Sequence, residues 1–290
     1  MKKTLVVLSI AASCAIASSP THIKDEIKSV KTKIQELNLN LKDLESRLPK
    51  ESYEFNAHAE MGYTLNSGNT DTEAFNLDGK VTNSYEVHSL ELSTLLQYGT
   101  QKGVENRNRF TTELLYDYEL DDTVSLNYLA GHKVDKFSGF DFQQYTGPGA
   151  KYKLIQEKAQ KLAVDGNLLY ARDKIEDSFV NTAGNRVMYP YPAGSVSQNN
   201  GYTKNYLSYR AKADYSVTLN ENIKFHQLFS YRSELASVRN FFVYSKSSLA
   251  FKITDVFSAG VNYYVDYINR PAFNKTATDK IFSFNLIADY

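Results

Sequence analysis

Two periodicities divide the chain near residue 50. Between residues 20 and 50 apolar residues fall at Ile23, Ile27, Val30, Ile34, Leu37, Leu41, Leu44 and Leu48, in alternating steps of four and three. That spacing is a heptad seam, with Ile27, Ile34, Leu41 and Leu48 at a and the other four at d. Pro49 ends it. A stripe of two residues per heptad is narrow for a helix packed on a globular surface. In a parallel pair, Glu26 at g faces Lys31 at the next e. The segment is therefore read as a coiled coil that joins copies of the chain through residues 22–48. The other reading is a single amphipathic helix lying on its own domain or on a bilayer. Ile, Val and Leu mix at both positions, so the seam does not choose between two and three strands.

From residue 52 the period becomes two. In "SYEFNAHAEMGYTL" the odd positions from Tyr53 to Leu65 are mostly apolar, and the even ones from Glu54 to Thr64 are mostly polar. A second run follows through Phe75, Leu77, Val81 and Tyr85. Ten more begin near Ser89, Arg107, Thr123, Phe142, Lys161, Tyr202, Ile223, Phe241, Val256 and Asp279. The pattern predicts twelve strands, most of them longer than the ~5–6 residues common in soluble sheets. Even-numbered links are short, near 86–87, 121–122, 156–160, 219–222 and 254–255. Odd-numbered links read as longer, with residues 173–200 forming the longest loop. Short turns on one rim and long loops on the other predict an all-β, antiparallel transmembrane barrel over residues 52–290. An even strand number puts both barrel ends on the short-turn, periplasmic rim. Tyr53, Tyr85, Tyr118, Phe257 and Tyr290 suit an interfacial aromatic belt there.

The two ends carry addresses. "MKK" and the apolar "TLVVLSIAASCAIA" read as a signal peptide over residues 1–17, cleaved after Ala17 and directing export to the outer membrane of a Gram-negative cell. The single cysteine, Cys14, lies within it. The competing reading makes Cys14 the lipidated first residue of a lipoprotein. At the other end Phe282, Phe284, Leu286, Ala288 and Tyr290 alternate along "KIFSFNLIADY". This run resembles the signal read by the outer-membrane assembly machinery, and the last strand is expected to close the barrel on the first. Outer-membrane lipids and lipopolysaccharide are the other expected partners. Lys+Arg and Asp+Glu balance at 33 each, so no basic excess points to nucleic acid.

"GYTLNSGNTDTEAFNL", "DKFSGFDFQ" at residues 135–143 and "TGPGAKYKLI" at 146–155 resemble the salt-induced outer-membrane protein family, catalogued as domain of unknown function 481. The resemblance covers about residues 53–290 and leaves the helical segment outside. It implies an outer-membrane barrel of unsettled biochemical role and supplies no catalytic residues.

Inward parity segregates charge. Strands one to four contribute Glu54, Glu60, Asp78, Glu91, Glu113, Asp117 and Glu119, against Lys80 and Arg109. Strands eight to ten contribute Arg210, Lys212, Lys224, Arg232, Lys246 and Lys252, against Asp214 and Glu234. In a twelve-strand ring these arcs face each other. They either flank a narrow pore for small polar solutes or bridge the lumen in ion pairs and plug it. Asp117 and Glu113 are the acids expected to reach Arg210 or Lys212. His132 sits on the outward face in "HKV", with Val134 where a lipase-type nucleophile belongs, so an outer-membrane lipid-active enzyme is a remote reading. His58 and His226 point inward without metal-ligand spacing. The "NSGNTD" loop lacks the calcium-loop pattern. Neither a metal nor a cofactor is expected, and the chain is read as a non-enzyme.

Overall fold

Pro20, which needs no helical amide partner at a first turn, opens a helix, α1 (Pro20–Arg47), about 42 Å long at 1.5 Å per residue. The computed structural model describes residues 20–47, 53–66, 71–187, 191–237, 239–271 and 275–290. Residues 1–17, Leu48 and most of "NSGNTD" lie outside these, as do the side chains of Ile23, Leu41 and Leu44. Ile27, Val30, Ile34 and Leu37 are exposed along α1.

The second unit is built from β1 (Glu54–Asn66), β2 (Thr72–Tyr85), β3 (His88–Gln101), β4 (Val104–Glu119), β5 (Val124–Asp135), β6 (Phe140–Gln156) and β7 (Gln160–Ile175). Three short strands follow, β8 (Ser178–Val180), β9 (Arg186–Val187) and β10 (Val196–Asn199). Then come β11 (Thr203–Asn220), β12 (Ile223–Glu234), β13 (Phe241–Lys252), β14 (Phe257–Ile268) and β15 (Thr278–Asp289). The twelve long strands pair antiparallel with their neighbours, and β15 pairs back on β1, which closes the barrel. This is the expected strand number.

The closing seam is shorter than the other ladders. β1 pairs with β2 from Glu54↔Ser84 to Asn66↔Thr72, but with β15 only from His58↔Asp289 to Met61↔Leu286. Ala57 and Tyr290 extend the seam by exchanging two 2.8 Å backbone hydrogen bonds.

The links depart from the expected rule of long odd-numbered loops. β3 and β4 are joined by Lys102 and Gly103 alone, at φ 50° and 74°. Two positive-φ residues make a tight hairpin whose twist matches the strands, so β4 starts at Val104 rather than near Arg107. β5 and β6 are joined by residues 136–139 only, with Gly139 at φ 83°. The longest link is shorter than the expected 173–200 loop at its start, because Asp173 and Lys174 still pair with Lys204 and Thr203. It also holds its own sheet, ordered β10-β8-β9.

The distribution of side chains is inverted relative to a soluble domain. Most of the buried residues are polar, among them Glu60, Gln97, Arg109, Asn167 and Asn262. Leu126, Tyr128, Leu168, Tyr170, Phe282 and Phe284 stand exposed on the outside. The buried apolar residues include a small cluster of Leu115, Leu129 and Leu169 with Tyr145 against it. No described helix is long and apolar enough to cross a membrane, which does not bear on a barrel.

Candidate functional site: the barrel lumen

The period of two sends alternate side chains of every long strand inward, and ring closure then decides which of them meet. Near the long-loop ends of β5 and β14, Arg109 of β4 donates to Asp266 of β14 and lies 3.2 Å from Asp135. Lys133 of β5 reaches the same Asp266 at 3.0 Å. β5 and β14 are six strands apart in either direction round the ring, so this contact spans the lumen.

Beside that layer, Lys246 of β13 donates to Glu60 of β1 at 2.8 Å and to Asp78 of β2 at 2.7 Å. Glu60 also accepts from Asn262 and, at 3.3 Å, from Asn285. Arg210 of β11 lies 3.5 Å from Glu113 of β4, which accepts a hydrogen bond from the Tyr145 hydroxyl. Arg232 of β12 packs against the rings of Tyr145 and Phe242, 4.7 and 4.5 Å from their centroids. Tyr145 can lie flat on the wall because its partner across the β5–β6 ladder is Gly131. A Cβ at Gly131 would come within 2.2–2.3 Å of two carbons of the Tyr145 ring.

Above the layer the lumen stays filled. The Tyr206 hydroxyl donates to Asp173 at 2.6 Å, and Gln143 donates to the same oxygen at 3.3 Å. Phe140 packs edge-on to Phe242, and the Lys275 ammonium sits over the Phe137 ring at 5.6 Å. Glu176 and Ser178, at the start of the longest link, are buried.

Below the layer the lumen is open. A cavity of about 550 Å³ is lined by residues from His58, Lys80, Lys224, His226 and Asp289, near the short-turn rim, up to Tyr145, Arg232 and Asp266. Exposure falls along it. Lys80 and His226 are 44% and 33% exposed at the mouth, whereas Arg210 is nearly sealed. His58 contacts Asp289 at 2.6 Å and Glu60 at 2.9 Å, and His226 contacts Asp214 at 2.8 Å. The two histidines are thus engaged with carboxylates and sit on different strands, four apart round the ring. No cluster with metal-ligand geometry occurs among the described residues.

The expected walls are distributed as follows. Glu60, Asp78, Glu91 and Glu113 line the cavity, as do Arg210, Lys212, Lys224, Arg232 and Lys246. Glu54 and Lys252 do not belong to it. Glu54 is exposed and accepts from Asn56, and Lys252 pairs with Asp255 in the β13–β14 turn at 2.7 Å. Their parity is inward, but they stand at the rim. Asp117 does not reach Arg210 or Lys212. It pairs with Lys151 of β6 at 2.5 Å, and Glu119 pairs with Lys153 at 2.8 Å. Between β4 and β6, β5 presents only Ser125 and Asn127 at these levels. Side chains that short let the lysines reach over them. Of the groups in the layer, Lys133, Asp135, Tyr145 and Asp266 lie outside the two expected walls. Applied to strands five, six and eleven, the same parity marks all four. His132 faces outward beside Gln144 and Phe142. Phe282, Phe284, Leu286, Ala288 and Tyr290 share the outer face of the β15 end.

A family model described as "Protein of unknown function, DUF481" matches residues 59–290, and the chain belongs to that family. This is the family to which the strand and loop motifs pointed. No curated protein sequence matches the chain significantly. Among solved structures the chain has distant likenesses. The NanC porin is 12% identical, with a TM-score of 0.41 over 81% of this chain and 98% of that one. The translocator domain of autotransporter NalP from Neisseria meningitidis is 12% identical, with a TM-score of 0.43 over 91% and 97%. The COG4313 outer membrane channel from Pseudomonas putida F1 is 11% identical, with a TM-score of 0.43 over 83% and 96%.

Proposed function

We propose that this protein is an integral outer-membrane barrel whose lumen is closed toward the long-loop rim, so that it serves the envelope as a non-conducting barrel and not as a free-diffusion pore. The Lys133–Asp266 ion pair carries this reading, because it joins opposite walls. Several features support the membrane setting. Strands of 12 to 18 residues exceed the ~9–11 that a tilted strand needs to cross a bilayer. Outward Leu, Phe and Tyr side chains form a surface that water would not tolerate at that extent. A closed ladder leaves no edge unsatisfied in lipid. Residues 1–17 direct export, the assembly machinery reads the outer face of β15, and lipids and lipopolysaccharide surround the wall. The short-turn rim, which carries the start of β1 and the end of β15, faces the periplasm. The stripe of Ile27, Val30, Ile34 and Leu37 supports self-association of α1, which makes the barrel an oligomeric tether. No catalytic role is assigned to any residue.

Single-channel recording in planar bilayers tests the closure. The wild-type barrel, verified as folded by its heat-dependent gel mobility, is expected to be silent. Discrete conductance steps would replace this reading with the second one, a narrow channel for small polar solutes. The cavity favours that second reading, since it already provides the lower part of a passage and would leave the layer as its gate.

A further inference from the structure

Arg210 and Arg232 stand directly opposite each other in the β11–β12 ladder. Like charges at facing positions repel, and both guanidinium groups are buried, with 6% and 8% exposure. Lys212 follows on the same face, so three cations converge at the head of the cavity. Glu91, Glu113, Asp165 and Asp214 lie near these cations, but among the described residues only Glu113 comes within ion-pair distance of one of them. Glu113 lies 3.5 Å from Arg210 and already accepts from Tyr145. Asp165 faces Lys212 across the β7–β11 ladder without reaching ion-pair distance. Arg232 has no carboxylate within that distance among the described residues, and its nearest named neighbours are the Tyr145 and Phe242 rings. Arg210 donates from Nε to the Ser230 hydroxyl at 3.3 Å. Nη1 of each arginine has no hydrogen-bond partner. A buried guanidinium with unused donors is costly unless an anion takes them.

We infer that the head of the cavity is a binding site for a small soluble anion, a phosphate or carboxylate compound, entering from the short-turn rim. Arg210 and Arg232 form its two-sided clamp, and Lys212 adds a third charge from the mouth side. Guanidinium is suited to this because its fork can donate two parallel bonds to a phosphate or carboxylate. The cavity volume of about 550 Å³ leaves room for an anion carried on a small polar body. Glu113 is the internal competitor, a carboxylate that holds part of the clamp when the site is empty. The inference rests on access from the short-turn rim and not on whether the barrel conducts.

The test is calorimetric titration of the detergent-purified full chain, free of lipopolysaccharide, with inorganic phosphate and with malonate. Saturable binding is expected. Arg232→Gln should weaken it about tenfold or more, the effect of losing one charge-assisted partner, with heat-dependent gel mobility verifying that the variant is folded. Glu113→Gln should tighten it. Absence of saturable binding of either anion, or equal binding by wild type and Arg232→Gln, overturns the site. If Arg232→Gln does not fold, Glu113→Gln decides alone, and binding no tighter than wild type overturns it. If binding appears only with lipopolysaccharide present, the anion is a headgroup and the soluble-solute assignment fails. A conducting barrel that binds phosphate refutes only the closure, and a silent barrel that binds none refutes only this site.

Discussion

Lys133 and Asp266 meet at 3.0 Å from walls that stand opposite each other, and Arg109 shares the same carboxylate. One acid therefore holds two cations that water does not reach freely. Removing it should be far costlier than removing a surface partner. Asp266→Ala is expected to destabilise the barrel by about 3–5 kcal/mol, the cost of breaking a buried pair from one side. Urea unfolding in detergent, followed by circular dichroism, measures it. The double change Lys133→Met with Asp266→Leu should cost less than Asp266→Ala alone.

Gly131 gives Tyr145 its place on the wall, and Tyr145 in turn orients Glu113 and supports Arg232. Gly131→Ala should cost about 1–3 kcal/mol, as expected for overpacking. Gly79→Ala is the control, since a Cβ there meets nothing within 4 Å. Equal melting temperatures for the two variants would contradict the packing described.

Asp117 and Lys151 should be coupled, and Asp117 and Arg210 should not. A double-mutant cycle on Asp117→Asn and Lys151→Met is expected to give an interaction energy of about 0.5–3 kcal/mol. The cycle with Arg210→Gln should be additive. Coupling to Arg210 instead would mean that β6 does not reach over β5 as the 2.5 Å contact has it.

Along α1, Ile34→Asp with Leu37→Asp should abolish chemically cross-linked oligomers of the full-length protein without altering the heat-dependent gel shift of the barrel. Both positions are exposed on the helix, so a folding defect is not expected from them. Oligomers that survive the double change would assign the stripe another partner.

Much of this architecture is local and therefore legible in sequence. A strand's faces follow from parity, so Phe282 and Phe284 outward and Glu60 and Glu113 inward needed no coordinates. The heptad spacing of Ile27, Val30, Ile34 and Leu37 likewise required only a helix. Twelve alternating runs supplied the strand number. At Lys102-Gly103 the dipeptide suits a tight hairpin, and the longer loop expected there is replaced by a two-residue turn. What parity cannot supply is height. The stagger between strands accumulates round the ring, and only the closure of β15 on β1 sets which inward groups share a level. That is why Lys133 meets Asp266, whereas the hairpin registers of β4–β5–β6 and β11–β12 decide that Asp117 is taken by Lys151 across two short side chains and that Arg210 and Arg232 face each other. Sequence determined which side chains enter the lumen. The tertiary structure decided which of them touch, because those contacts depend on the stagger between strands, and some, such as Lys133 with Asp266, join residues more than a hundred positions apart.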